Sequence, residues 1–182
     1  MIPHVTLRPL TLHDTEVAAR WGEDPEFCAY AGWTERATVD RVRLWRDLVV
    51  NSPVDLLRLA AADDVGDLVG YVDLMGLDDD RRELGYLVGP RDRWGRGWGT
   101  AIAAAGLEHG FTVLVLSEIH AEAMAAKVPS VRILQRLGMS ETGRGDEDTF
   151  LGEATFYRCF SMTRPDWLAR RASPGSGRPM EV

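Results

Sequence analysis

A run of alternating glycines near the middle of the chain is the part of the sequence that most directly indicates chemistry. Gly95, Gly97 and Gly99 alternate with larger residues, and Arg93 and Arg96 stand among them. Glycines without a Cβ atom let a ligand approach the backbone, and the N–H groups that open a helix attract anions. Arginine adds planar donors that stay charged. The sequence therefore predicts a site for a phosphate or pyrophosphate, and so for a phosphorylated cofactor.

The elements on either side must position this glycine loop. Residues 82–88 have the pattern of a strand, and residues 100–111 have that of an alanine-rich helix. A loop between a strand and a helix aims its N–H groups and the positive end of the helix dipole at one point. The residues predicted to bind the cofactor here are Arg93, Trp94, Gly95, Arg96, Gly97, Trp98, Gly99 and Thr100.

Two better-known phosphate motifs fit the loop less well. The Walker loop needs a lysine after its glycines, and none follows here. The dinucleotide fingerprint needs a wider last gap between glycines, although Glu118 lies near the expected distance for its acidic residue. The preceding strand also belongs to a run of hairpins, not to an opening βαβ unit. A nicotinamide-dependent oxidoreductase is therefore the weaker alternative, and a glycine loop without a ligand also stays open.

The remaining pattern predicts a mixed α/β protein with a mostly antiparallel sheet. Short polar turns separate the strands before the loop, which makes those strands antiparallel neighbours. After the loop, a strand–helix–strand crossover follows, and diverging strands at that point open a cleft. The aromatic residues of the early helices either pack in the core or line a substrate mouth. Thr11 and Thr38 are predicted to cap two helices, and further helices begin at Pro25, Thr100 and Pro129. The predicted strands are 4–9, 55–62, 68–75, 82–88, 113–121, 139–143 and 155–163.

Composition narrows the function classes. With 182 residues, the chain is predicted to form one domain at 1–168 and a disordered tail at 169–182. The net charge of −7 argues against a nucleic-acid partner, and no apolar run predicts a membrane span. Two distant cysteines predict neither a disulfide nor a metal site, which favours the cytoplasm. The abundance of Ala, Gly, Val and Arg suggests a bacterial source.

Five segments also resemble one known family when they are taken in order. They are Val5–Leu10, Glu83–Tyr86, Trp94–Gly99, Ser130–Met139 and Arg164–Trp167. The chain resembles the GCN5-related N-acetyltransferases (the GNAT superfamily) and, within it, the ribosomal-protein-alanine acetyltransferases, over nearly the whole body of the sequence. The glycine loop followed by S-x-x-x-L-x-x-L-G is the most specific part of the match.

The resemblance implies a fold and a cofactor. It implies a mostly antiparallel twisted sheet, flanked by helices and splayed at an acyl-CoA cleft, with acetyl-CoA as the acyl donor and no metal. The pyrophosphate would lie on the amides of residues 94–100. The pantetheine arm would run beside Leu87 and Val88 and pair with their backbone, as an added strand does.

The resemblance also suggests roles in catalysis. Glu83 is the leading candidate for the base that deprotonates the acceptor amine, or else a glutamate facing solvent; Glu122 is the reserve candidate. Ser130 is expected to assist the departing thiolate, or only to cap a helix. The backbone N–H of Val88 would serve the oxyanion. Among the histidines, His120 alone lies near the predicted cleft.

Two residues depart from the family pattern. Lys127 stands where an asparagine usually holds the cofactor arm, so it either reaches a phosphate or lies in solvent. Leu134 stands where some relatives carry a tyrosine acid. These departures leave open a non-catalytic acyl-CoA-binding module. For an enzyme, the expected acceptor is an amine of a small molecule or of a protein N-terminus, and a homodimer is possible.

Overall fold

The computed structural model describes residues 3–172, which contain seven strands and six α-helices. The strands are β1 Thr6–Pro9, β2 Leu56–Ala62, β3 Leu68–Met75, β4 Arg81–Val88, β5 Glu118–Met124, β6 Ser140–Phe150 and β7 Glu153–Thr163. The helices are α1 Leu12–Trp21, α2 Pro25–Ala31, α3 Thr38–Val50, α4 Trp98–Thr112, α5 Val128–Leu137 and α6 Arg164–Ala172.

All seven strands form one sheet in the order β1-β2-β3-β4-β5-β7-β6. Every neighbouring pair is antiparallel except β4 and β5, which are parallel. This parallel pairing covers only Arg81–Glu83 against Glu118–His120, and the two strands diverge beyond it. The predicted fold class and the predicted splay are therefore confirmed.

The alanine- and glycine-rich sequence of α4 explains how closely this helix lies against the sheet. A Cβ atom added at Gly106 would come within 2.7 Å of Leu84 Cδ1, and one added at Gly110 within 2.5 Å of Ile119 Cδ1. Small residues at these positions let the helix backbone approach β4 and β5 directly. The main core lies between this helix and the sheet.

Helices α1, α2 and α3 carry an aromatic cluster against the same sheet. Phe27, Trp45 and Tyr71 are buried, and Trp33 packs edge-on against Phe27 with ring centroids 4.9 Å apart. Edge-to-face contacts of this kind add to the free energy gained by burying the rings. The aromatic residues of the early helices are thus mainly core residues. Of the two predicted alternatives, core packing therefore describes them better than lining a substrate mouth.

The starts of α3 and β5 differ from their predicted positions. The Thr11 capping box confirms the predicted start of α1, but Thr38 is the first residue of α3 and Ala37 is its N-cap. Strand β5 begins at Glu118 instead of residue 113. The left-handed backbone of Val115, with φ of 57°, shows that a turn occupies the intervening residues.

Two further differences lie near the C-terminal end of the body. Strand β6 runs on to Phe150 and forms a long hairpin with β7, where the sequence predicted a short strand. Helix α6 was not predicted, and it crosses the predicted domain boundary at residue 168. The rest of the predicted tail, residues 173–182, lies outside the described residues.

Candidate active site

The opening between β4 and β5 forms a cleft with two ends. At one end, which we call the apex, Glu83 lies in register with His120 at the last paired position. At the other end, which we call the mouth, there is a cavity of about 330 Å³. Its lining comes from α2, β4, the glycine loop and α5: Tyr30, Ala31, Tyr86, Leu87, Val88, Arg93, Trp94, Gly95, Gly99, Lys127, Pro129, Ser130 and Ile133.

The glycine loop presents a cluster of backbone N–H groups at the mouth. Gly95 and Gly97 have φ angles of 71° and 88°, which an L side chain rarely adopts. Helix α4 begins at Trp98, two residues earlier than predicted, and its first internal bond runs from the N–H of Ala101 to the carbonyl of Gly97 at 3.0 Å. Within residues 3–172, no hydrogen bond occupies the N–H groups of 98–100, so they are available to an anion.

Two side chains of the glycine loop contact the rest of the protein, and a third is exposed. Arg93 pairs with Asp63 at 3.0 Å and lies over the Trp98 ring, 4.8 Å from its centroid. The indole Nε1 of Trp94 donates to the carbonyl of Val88 at 3.2 Å. Arg96 is exposed, with no ion pair to any residue in the described part of the chain. Arg93 and Trp94 therefore fix the loop, whereas Arg96 does not.

The register of β4 decides which backbone groups face the cleft. Gly89 donates its N–H to the carbonyl of Val69 at 2.9 Å, so by alternation the backbone of Leu87 also points toward β3. The backbone groups of Tyr86 and Val88 then point into the opening. Leu87 lines the mouth, but its backbone groups face β3, which corrects the predicted pairing of the pantetheine arm with both residues.

Ser130 reaches the mouth from the first turn of α5. Because Lys127 is the N-cap of this helix, the predicted alternative of a capping role for Ser130 is wrong. The hydroxyl of Tyr86 donates to the carbonyl of Ser130 at 3.4 Å, and burial raises the pKa of Tyr86 to about 12. Sequence reasoning missed Tyr86 as a second hydroxyl at the mouth, although it stands within the Glu83–Tyr86 segment.

Lys127 lies over an aromatic ring rather than in open solvent. Its Nζ atom is 5.2 Å from the centroid of the Phe150 ring. Burial lowers the pKa of Lys127, and the nearby Asp148 partly offsets this effect. Lys127 is one of the residues that line the mouth.

Several ionisable side chains lie at the apex and face the same side of the sheet. Glu83 is half-buried, and its burial raises the pKa of its carboxyl, while His120 lowers it and Glu122 raises it further. Glu83 and His120 line a second cavity of about 330 Å³ together with residues 75–78 and Arg81. Glu83 thus lies at the closed end of the cleft, away from the glycine loop.

Strand β7 adds two groups that the sequence did not indicate. The thiol of Cys159 donates to Glu122 Oε1 at 3.3 Å, and the hydroxyl of Tyr157 donates to Asp148 at 3.1 Å. Burial and the neighbouring carboxylates raise the pKa values of both groups. Only the pairing of β7 with β5 brings these residues beside Glu122, and their sequence separation gave no signal.

Residues 4–140 match the family model of an acetyltransferase (GNAT) domain. This match covers most of the chain. The chain belongs to the GNAT acetyltransferases. Its activity is therefore acetyl-CoA-dependent N-acetyl transfer, and the predicted GNAT superfamily and enzyme class are confirmed.

A named relative and solved structures agree with this family. An uncharacterized N-acetyltransferase p20 of Bacillus licheniformis is 27% identical over 145 residues, which are 76% of this chain and 80% of the relative. A GNAT-family acetyltransferase from Bacillus anthracis has a TM-score of 0.74 at 17% identity, covering 91% of this chain and 98% of that one. Spermidine N-acetyltransferase from Vibrio cholerae, solved with CoA and spermine, has a TM-score of 0.76 at 18% identity with the same coverage.

Two findings on this acetyltransferase concern what the described residues lack. Among residues 3–172, no group of three or more His, Cys, Asp or Glu side chains is placed to hold a metal ion. Within the same residues, no helix combines the length and the apolar character needed to cross a membrane.

Proposed function

We propose that acetyl-CoA occupies the mouth of the cleft and that a primary amine attacks its thioester directly, with both substrates bound at once. The observation that carries this proposal is the open side of β4, next to the N–H cluster of the glycine loop. The diphosphate would bind the amides of 95–100, with Arg96 beside it, and Lys127 would contact the cofactor farther along the mouth. The pantetheine arm would lie along Tyr86 and Val88, which directs the thioester toward the apex.

Glu83 is the proposed base. Attack requires a neutral amine, whereas amines are mostly protonated near neutral pH. Burial raises the pKa of Glu83, which makes this carboxylate a better proton acceptor than an exposed glutamate. Its distance from the loop fits a role at the reacting end of the cofactor, directly or through a water. Glu122 is the reserve base, although it already accepts from Cys159.

The departing thiolate and the oxyanion also need hydrogen-bond donors. Ser130 lines the mouth and does not cap α5, so we assign its hydroxyl to the thiolate. The N–H groups of Tyr86 and Val88 are the β4 donors that face the cleft, and they serve the cofactor arm and the oxyanion. Bringing the two reactants together supplies much of the remaining rate enhancement.

The acidic apex supports an acceptor that arrives as an ammonium ion. Glu83 and Glu122 lie there, with Asp146 and Asp148 near the β7 side chains. Carboxylates on one face attract and orient a cation. A small amine fits this surface, and a protein N-terminus is the acceptor that the alanine acetyltransferase resemblance implies. We further propose action in the bacterial cytoplasm, and a homodimer stays a prediction.

Thiol release from acetyl-CoA, measured with and without each member of an amine panel, tests the proposal. The panel contains a diamine, a polyamine, amino acids and a peptide with N-terminal alanine. We expect release that depends on the amine, with one acetyl group added to the acceptor by mass spectrometry. A protein that binds acetyl-CoA but releases no thiol with any amine would be a binding module instead. Tight binding of NADH would support the oxidoreductase alternative.

A further inference from the structure

A third cavity, of about 220 Å³, lies between the early helices and the sheet. We call it the arginine–aromatic pocket, and the residues that define it are Trp33, Arg36, Arg41, Trp45, Arg58 and Tyr71. The apex is acidic, whereas this pocket combines cationic side chains with flat aromatic ones.

Arg41 is the most informative residue of this pocket. It is only 7% exposed, and its side chain packs over Gly22, where an added Cβ atom would lie 2.4 Å from Nε. That Nε has no hydrogen-bond partner among residues 3–172, and no carboxylate in the same range forms an ion pair with Arg41. A buried cation without an anion is unfavourable, so this side chain is suited to a negatively charged ligand.

Arg58 differs from Arg41 because it has a carboxylate partner. Its guanidinium makes two hydrogen bonds of 2.6 Å to Asp73, so its charge is already balanced. The same group lies 4.3 Å from the ring centroid of Tyr71 and 5.0 Å from that of Trp45. Arg58 therefore completes a flat wall, against which a planar group can stack. The cations left for a ligand are Arg41 and the exposed Arg36.

Strand register connects this pocket with the active site. Asp73, the partner of Arg58, lies opposite Gly85, and Met75 lies opposite Glu83, on the same face of the sheet. Tyr71 lies opposite Leu87, whose side chain lines the mouth. Arg58 is two residues along and two strands across from Glu83, and Tyr71 is four residues along and one strand across, so the pocket floor is roughly 12–14 Å away. A ligand of modest length spans this distance.

We infer that the acceptor carries a planar acidic group, such as a ring carboxylate, in addition to its amine. The acidic group binds Arg41 and Arg36 and stacks between the aromatic walls, while the ammonium lies at Glu83. This inference rests on the proposed function and narrows the acceptor to a zwitterionic amine with separated charges. It therefore excludes a polyamine as the preferred acceptor.

A binding experiment without the amine tests the pocket directly. Titration calorimetry compares phenylacetate with phenylacetamide, which keeps the ring but lacks the charge. We expect saturable binding of phenylacetate alone, weakened by about tenfold in Arg41→Gln because a charged hydrogen bond is lost. Arg43→Gln is the matched control, since Arg43 is exposed on the same helix and pairs with Asp40. Arg36→Gln, at an exposed position, is the second test if Arg41→Gln does not fold.

A kinetic experiment then tests the link to catalysis. With 4-(aminomethyl)benzoate and its amide as acceptors, kcat/KM is expected to favour the acid by about tenfold, and Arg41→Gln is expected to remove that preference. The Kd for acetyl-CoA stays unchanged in every arginine variant.

Three results would overturn the inference. They are no saturable binding of phenylacetate, equal binding of the amide, and an equal loss in Arg43→Gln. Arg41-dependent binding of phenylacetate in a protein that releases no CoA with any amine would refute the proposed function, and with it the acceptor role of the pocket. The two failures are therefore distinguishable.

Discussion

The mouth and the apex of the cleft are built in different ways. The anion-binding part of the mouth is one continuous segment, the glycine loop and the first turn of α4, and it offers mainly backbone groups. The apex is formed by side chains from β4, β5 and β7, which only the folded sheet brings together. Cofactor binding is thus encoded locally, whereas the chemistry depends on long-range pairing. Changes at the mouth are expected to alter affinity for acetyl-CoA, and changes at the apex to alter turnover.

The largest effect is expected from Gly97→Trp at the mouth. Gly97 has a φ of 88°, and a side chain there would strain the backbone and cover the N–H groups that follow. We expect the Kd for acetyl-CoA, measured by calorimetry, to weaken by at least about 100-fold, or ~2.7 kcal/mol. Gly152→Trp is the matched control, because Gly152 has a φ of 85° and open space around it. Equal affinity in the two variants would contradict the loop assignment.

Glu83→Gln at the apex is expected to lower kcat by about 100-fold near neutral pH, as removal of a general base does. The Kd for acetyl-CoA should not change, which separates this variant from Gly97→Trp. Glu118→Gln is the control, because Glu118 lies on the same side of the sheet but pairs with Arg81 at 2.9 Å. A Glu83→Gln enzyme with full turnover would remove Glu83 from the mechanism.

The pH dependence of the same variant sharpens this test. Burial raises the pKa of Glu83, so wild-type kcat should fall as the pH drops through that raised value. The variant lacks this base, and its rate should rise toward the pKa of the amine, so the defect shrinks at alkaline pH.

A raised pKa in the folded state means that the stability contribution of Glu83 is lost as pH rises. Glu83→Gln should therefore have a higher Tm than wild type at neutral pH and no advantage at acid pH.

A smaller effect is expected from Ser130→Ala, about tenfold on kcat, because one hydroxyl that assists the thiolate is lost. The measurement is steady-state thiol release at saturating acetyl-CoA. Tyr86→Phe removes the other hydroxyl at this position and is the natural comparison. If Tyr86→Phe costs more than Ser130→Ala, the proton comes from the tyrosine and the assignment of Ser130 is wrong.

The contrast between local and long-range structure also explains which features could be predicted from the sequence. The alternating glycines predicted a loop between a strand and a helix, and the structure has one, in which Gly95 and Gly97 adopt positive φ angles. Glycine spacing could be interpreted because it acts on the local backbone. Hairpin turns and alternating residues likewise predicted the antiparallel order from β2 to β4. The start of β5 was misplaced because Val113 and Val115 have strand propensity but lie in a turn.

Sequence patterns could not predict which distant side chains lie next to one another in the fold. Cys159 meets Glu122 only through the register of β5 with β7, which no local pattern specifies. The backbone direction of Leu87 depends on the register between β3 and β4. No sequence pattern singled out Arg41, and only its burial over Gly22 shows an unpaired cation.

The central claim is that the amides of the glycine loop bind the diphosphate of acetyl-CoA. Amide ¹H–¹⁵N NMR during titration with CoA tests it most directly. We predict large shifts at Gly95, Gly97, Trp98, Gly99 and Thr100, with little change at Gly152. Resonances of the loop that stay unmoved at saturating CoA would contradict the account.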